Sequence, residues 1–307
     1  MTVVEQEPAT SVERERERER ERPVVTTVPP ARRSWRRKRP GREAVVVHLI
    51  QLGLLAAFFG IWQLISGVPG ERWVLIDEFY ISQPSDAFRA IGDWWSDGVL
   101  WGHVWVTLQE TLVGWVVGGV AGTLVGFVLG IGRRTSRILG PFVMAANSIP
   151  KLALAPLFLL WFGLGMQSKV AFVASIVFFL IFYATYSGVR EVSDDQLDQL
   201  RIMGATSVQA HRMVTVPSAM TWVISGLHVT VPYAFVGAVV GEMIAANRGI
   251  GFLIQRASQS FNTGELIGAV LVLVVLALIL NGVVTGVERV LMRWRTAGRG
   301  AVSGAAA

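Results

Sequence analysis

The stretch Ser193-Asp-Asp-Gln-Leu-Asp-Gln-Leu-Arg-Ile-Met-Gly204-Ala-Thr-Ser-Val-Gln-Ala-His-Arg-Met-Val-Thr-Val-Pro217 is compact and polar, and an apolar run flanks it on each side. It reads as two short helices hinged at Gly204. Ser193 with Gln196, and Thr206 with Gln209, have the spacing of capping boxes. Gly204 stands where a left-handed C′ residue is wanted. Pro217, which has no backbone N–H, is expected to stop the second helix. A loose loop would not need these signals, so the segment reads as a docking unit that something outside the membrane can grasp.

The flanking runs set the class. The chain has 307 residues, 52% hydrophobic and 16% charged. A soluble domain would show about 25% charge. The composition is that of a polytopic membrane protein, all-α. Its net charge of +6 reports orientation in the bilayer rather than nucleic-acid binding. There are no cysteines, and the four histidines (His48, His103, His211, His228) lack ligand spacing, so no metal site is expected.

Six spans are predicted: Val45–Ser66, Leu108–Ile131, Leu139–Phe162, Val170–Ser187, Ala219–Ala245 and Leu266–Val287. Each suffices for a hydrocarbon core of about 30 Å. Pro150 and Pro156 interrupt the third and Pro232 the fifth, so neither is expected to be straight. With the N-terminus inside, the inner segments carry the basic run Arg32–Arg42 and Arg133, Arg134, Arg137, Arg190, Arg201, Arg212, Arg289, Arg293, Arg295 and Arg299. The outer segments carry Arg72, Arg89, Lys169, Arg248 and Arg256. This asymmetry places both termini, and the unit around Gly204, in the cytoplasm of a multi-pass cell-membrane protein.

Residues 1–44 form a basic, low-complexity tail, expected to be disordered and to end in a juxtamembrane stop; no cleavable signal is expected. The six-span domain covers 45–290, with the docking helices at 190–217, and a short cytoplasmic tail covers 291–307. From Pro84 to Trp95, apolar Phe88, Ile91, Trp94 and Trp95 recur at helical spacing, which suits an interfacial helix. In the second span Gly114, Gly118, Gly122, Gly126 and Gly130 recur every fourth residue, a slowly winding groove for a neighbouring helix. No phosphate-binding loop is present: the run from Gly130 to Thr135 lacks the lysine and the spacing.

The run Asp198-Gln-Leu-Arg-Ile-Met-Gly204, followed after nine residues by Val214-Thr-Val-Pro217, resembles the "EAA" signature of permease subunits of binding-protein-dependent ABC importers. Asp198, Gln199 and Leu200 replace Glu-Ala-Ala, and Val214 and Val216 replace Ile and Leu. The run Ser148 to Gly163 (with Pro150, Lys151 and Pro156) and the pair Gly241-Glu-Met243 and Gly249-Ile-Gly251 are similar to the nitrate/sulfonate/taurine branch. The resemblance runs from about Ser82 to Trp294. It implies a type I importer permease fold and a subunit that is not itself catalytic. ATP, with no other cofactor, would be bound by a partner ATPase dimer that grips Asp198, Gln199, Leu200, Gly204, Val214, Val216 and Pro217. A second permease subunit, as a homodimer, and an extracytoplasmic solute-binding protein complete the expected partners, with the lipid bilayer and no nucleic acid. The cargo would be a small nutrient, such as a nitrate-, sulfonate-, taurine- or bicarbonate-like anion or a small organic precursor.

Candidate pathway or gate residues are Asn147, Ser148, Lys151, His228 and Glu242. Lys151 reads either as a cavity cation for an anionic substrate or as a structural partner of a carboxylate or of carbonyls freed by Pro150 and Pro156. Glu242 reads as a gate paired with Arg248 or Arg256, or as an interface glutamate. His228 stands where the family more usually has arginine, and reads as cavity-lining or as a satisfied packing residue. Asn281 is expected to bond across helices, and Glu110 to snorkel at a span end. Two other classes stay open: a stand-alone secondary transporter, for which Lys151 and Glu242 are the available relay residues, and a membrane-anchored helix-turn-helix protein using 194–215.

Overall fold

The computed structural model describes residues 42–67, 76–77 and 79–291, and apart from a two-residue parallel pair it is all-α. The expected tails over 1–41 and 292–307, and Arg72, lie outside the described residues. The chain divides inside its first helix into two units, up to Leu54 and from Leu55. In the first unit, helix α1 (Arg42–Ile65) begins with exposed Val45, Val46, Val47, Leu49, Ile50, Leu52 and Leu54. An apolar surface without a polar face suits lipid rather than water.

In the second unit, the end of α1 fixes the interfacial helix α2 (Pro84–Ser96). Trp62 Nε1 donates to the Ser82 carbonyl at 3.1 Å, the Gln63 amide donates to Gln83 Oε1 at 2.7 Å, and the Phe59 and Phe88 rings lie 5.9 Å apart. The parallel pair joins β1 (Ser66–Gly67) to β2 (Ile76–Asp77). Next come α3 (Val99–Ile131), α4 (Arg133–Ser148), a 3₁₀ turn at Lys151–Leu154, α5 (Ala155–Phe162) and α6 (Met166–Arg190). The polar unit is α7 (Asp194–Ile202) and α8 (Ser207–Ala210). The chain ends in α9 (Val216–Ala245), α10 (Ile250–Gln259) and α11 (Thr263–Leu291).

The core is where α3, α6 and α9 meet. A Cβ on Gly114 would lie 2.6 Å from Val173 Cβ; on Gly122, 2.5 Å from the Phe178 carbonyl oxygen; on Gly130, 2.7 Å from Val189 Cβ. The glycine groove is therefore filled by the backbone and short side chains of α6, the close approach that small residues permit in a membrane. On its other side α6 packs Val173, Val177 and Ile181 against Ala234 and Ala238 of α9. Trp115 Nε1 of α3 donates to Thr230 Oγ1 of α9 at 2.9 Å.

Among the described residues, five helices are long and apolar enough to span a membrane, or six if a bent pair counts as one. That pair is the expected third span, whose two halves meet at 77°. The break falls at Ile149–Pro150, while Pro156 sits in the first turn of α5, where a missing N–H is harmless. The second span begins at Val99 rather than Leu108: α3 has 33 residues, about 50 Å at 1.5 Å each, so its first turns rise beyond the hydrocarbon core.

Two proline expectations need correction. Pro217 does not stop the second short helix: Ser207–Ala245 is one helical run of 39 residues. The ladder widens to π geometry over His211–Thr215, just ahead of Pro217. The proline thus falls in the first turn of the re-registered helix, where a missing N–H is tolerated. Pro232 does not break the fifth span either. It is exposed while Val231, Ala234 and Phe235 around it are buried. That packing holds the helix across one missing N–H, as is common in membranes.

Candidate functional site

The polar unit is built by local rules. Leu197 buries the inner face of α7. The helix ends in a full Schellman motif: Ala205 N–H donates to the Leu200 carbonyl at 2.9 Å and Gly204 N–H to the Arg201 carbonyl at 2.9 Å. Gly204 has φ +88°, a conformation other L-residues resist. Thr206 and Gln209 form the expected capping box, with Gln209 Oε1 accepting from Thr206 N–H at 2.9 Å. Ser193 makes only half of its expected box: its hydroxyl accepts from Gln196 N–H at 3.4 Å.

Of the seven residues matched to the EAA signature, Asp198 pairs with Arg201 at 2.8 Å on the exposed surface of α7. Gln199 and Val216 are exposed, and Leu200, Val214 and Pro217 are half-buried. More conspicuous are residues that the motif does not name. Ile202 (86% exposed), Met203 (82%), Val208 (76%) and Met213 (67%) present apolar side chains around the hinge. The Trp222 indole donates to the Glu191 carboxylate and braces the end of α6 on α9.

The five expected pathway or gate residues fall into three separate places. Asn147, Ser148 and Lys151 sit at the break between α4 and α5. Lys151 Nζ donates to the Asn147 carbonyl (2.9 Å) and to its Oδ1 (2.8 Å), and lies 4.7 Å from the Phe179 ring centre. No carboxylate pairs with Lys151 among the described residues. A cavity of about 370 Å³ opens beside it, lined by Pro150, Lys151, Leu152, Ile176, Leu180, Tyr233 and Val236. His228 bridges helices, with Nδ1 2.8 Å from Asn281 Oδ1 and Nε2 3.0 Å from Glu288 Oε2.

Glu242 lies at the other end from the polar unit and is 1% exposed. The expected pairing with Arg248 or Arg256 is absent. Instead Glu242 Oε1 accepts from the Thr107 hydroxyl (2.7 Å) and Oε2 from Gly251 N–H (2.6 Å). Thr107 Oγ1 in turn accepts from Ile250 N–H at 2.8 Å. The carboxylate caps the first turn of α10, a favourable place for negative charge. Its close fit explains Gly249-Ile-Gly251: a Cβ on Gly249 would overlap the Glu242 carboxyl, and one on Gly251 would lie 2.9 Å from Glu242 Oε2.

Sequence reasoning missed the partners of this cluster. Glu110 does not snorkel: it is 2% exposed, and its Oε1 meets Lys169 Nζ at 2.8 Å. Lys169 is not a loop residue but lies buried in the first turn of α6. Once α3 is started at Val99, Glu110 falls inside the helix. An acid and a base near the same ends of two packed spans was the available signal.

Three comparisons place this geometry. The family described as the binding-protein-dependent transport system inner membrane component matches residues 118–296. The riboflavin transport system permease protein RibX of Chloroflexus aurantiacus is 36% identical, over 88% of this chain and 97% of that protein. The formylaminopyrimidine transport permease protein ThiX of Halalkalibacterium halodurans is 30% identical (76% and 91%), and the taurine transport system permease protein TauC of Escherichia coli 24% (80% and 89%). Among solved structures, a chain of the inward-facing MetNI methionine ABC transporter superposes with TM-score 0.55 at 22% identity, over 62% of this chain and 95% of that one. The fold is that of a type I ABC importer permease, and the chain belongs to the binding-protein-dependent transport system inner membrane component family.

Proposed function

We propose that this chain is the non-catalytic membrane subunit of an ATP-driven importer, that two copies enclose the pathway, and that a separate ATPase binds the ATP and drives the cycle by gripping α7 and α8. The observation that carries this reading is the polar unit. Its caps close both short helices, its tips are apolar and exposed, and α8 runs without a break through the π turn into α9. A displacement of the hinge therefore acts on the whole fifth helical run rather than being absorbed by a loose connection. The surplus of arginines at that end supports a cytoplasmic side for the unit and for both termini.

The bent pair α4–α5, with Asn147, Ser148 and Lys151 beside the cavity at its break, is our candidate for the moving wall of the pathway. The relatives' names (riboflavin, formylaminopyrimidine, taurine) support a small organic or anionic nutrient as cargo. The two rival classes fit less well. A recognition helix must be free to enter a groove, whereas α8 is the end of a membrane helix; a stand-alone secondary transporter would not need the capped unit. Gly204→Val tests the coupling role. The variant should insert normally and lose ATP-driven uptake, because a β-branched residue resists φ +88°. Normal uptake and ATPase co-purification in that variant would count against the proposal.

A further inference from the structure

Three ionisable side chains meet at the end opposite the polar unit, and their charges do not balance. Glu110 of α3 is 2% exposed, Lys169 of α6 6% and Glu242 of α9 1%. Lys169 Nζ donates to Glu110 Oε1 at 2.8 Å. Thr107, whose hydroxyl donates to Glu242 Oε1 at 2.7 Å, stands three residues before Glu110 on the same face of α3. The two carboxyls therefore come within hydrogen-bonding reach of each other. A Cβ on Gly241 would lie 3.2 Å from Lys169 Cγ, so the lysine stem runs against the turn that carries Glu242. Two acids share one base in a site closed to water, and two carboxylates so placed resist ionising together. The other titratable or charged groups near this end of α3, α6, α9 and α10 are His103, whose Nδ1 lies 3.0 Å from the Gly249 carbonyl oxygen, and the exposed Arg248 and Arg256. Neither arginine pairs with either acid among the described residues.

The hydrogen bonds single out one atom. Both oxygens of Glu242 have donors, Oε1 the Thr107 hydroxyl and Oε2 the Gly251 N–H at 2.6 Å. They lie at the N-terminus of α10, where negative charge is favoured. Glu110 Oε1 takes Lys169, whereas Glu110 Oε2 is buried and has no donor. A buried carboxylate oxygen left bare is costly. A proton on it makes it a donor facing Glu242. That one addition satisfies the bare atom and leaves a single negative charge for the single ammonium.

We propose that Glu110 and Glu242 form a proton site, in which one proton shared between Glu110 Oε2 and Glu242 closes the contacts of α3, α6, α9 and α10 at this end. The folded chain then keeps a proton that two free carboxyls, ionised above about pH 4.3, would release. Folding takes up a proton through neutral pH, so stability falls as pH rises. The full-length chain in lipid nanodiscs tests this. One proton should lower the thermal midpoint by about 3–5 °C per pH unit across neutral pH. His103 and the surface groups titrate as well, so the quantity to read is the difference from Glu110→Gln, which retains them all. Glutamine keeps an oxygen for Lys169 and puts an amide N–H where the shared proton stands. The variant should stay folded and lose a slope worth one proton. Parallel profiles of the two proteins would overturn the site. So would a Glu110→Gln protein that melts well below the native chain at every pH, because an amide could then not stand in for a protonated acid. Infrared spectra give a second reading. The carbonyl stretch of a protonated carboxylic acid should be present in the native chain at neutral pH, shift in heavy water and vanish in Glu110→Gln. A native spectrum without that band would show both acids ionised and contradict the proposal.

Discussion

At the residue scale, the clearest dependencies are between buried charges. Lys169 and Glu110 have one another as ion-pair partners, at 2.8 Å and nearly out of contact with solvent. Removing one partner from such a pair typically costs about 3–5 kcal/mol, because the other charge is left buried alone. Glu110→Ala should therefore lower the thermal midpoint sharply in detergent, while the double variant with Lys169→Leu should recover much of the loss. Lys151 has a different dependency. Its ammonium covers the Asn147 carbonyl exposed by the break at Ile149–Pro150. Lys151→Met should consequently cost stability, by about 1–3 kcal/mol for an unsatisfied carbonyl. A stable Lys151→Met variant whose substrate-stimulated ATPase activity is weakened would instead assign the lysine to substrate. The caps and Gly204 were legible in the sequence because their rules operate within a turn. The Glu110–Lys169 and Glu242–Thr107 contacts were not, since they depend on the relative phase of helices far apart in the chain.

At the element scale, the glycine groove of α3 shows how a sequence period becomes an interface. Glycine at every fourth position was readable from the chain; that α6 rather than another span fills the groove was not. The Cβ overlaps fall on α6 backbone at Gly122, which cannot yield as a flexible side chain would. Gly122→Leu should force α3 and α6 apart, at a cost at or above the roughly 1–3 kcal/mol usual for overpacking. Loss of folded protein on size-exclusion chromatography, with no variant of altered substrate preference, is the expected result. The prolines teach the opposite lesson. Pro150 ends a helix as its chemistry suggests, whereas Pro217 and Pro232 do not. A π turn absorbs one and lateral packing the other, and neither is visible in a local pattern.

At the scale of the whole molecule, the all-α class, the number of spans and the position of the polar unit followed from hydropathy, arginine placement and capping signals. The bend of the third span and the buried contacts of Glu242 and Glu110 at the far end required the structure. In the function proposed above they act together as a lever: a capped unit at one end, continuous with a helix that reaches Glu242 near the other. The central claim is that a cytoplasmic ATPase holds this lever. Met203, 82% exposed at the hinge, is the place to ask. In a chain without native cysteines, Met203→Cys carrying a short photo-activated cross-linker should attach to an ABC ATPase subunit in native membranes, with a yield that changes when ATP is added. Cross-links that never include such an ATPase, in a protein that still transports its substrate, would contradict the account.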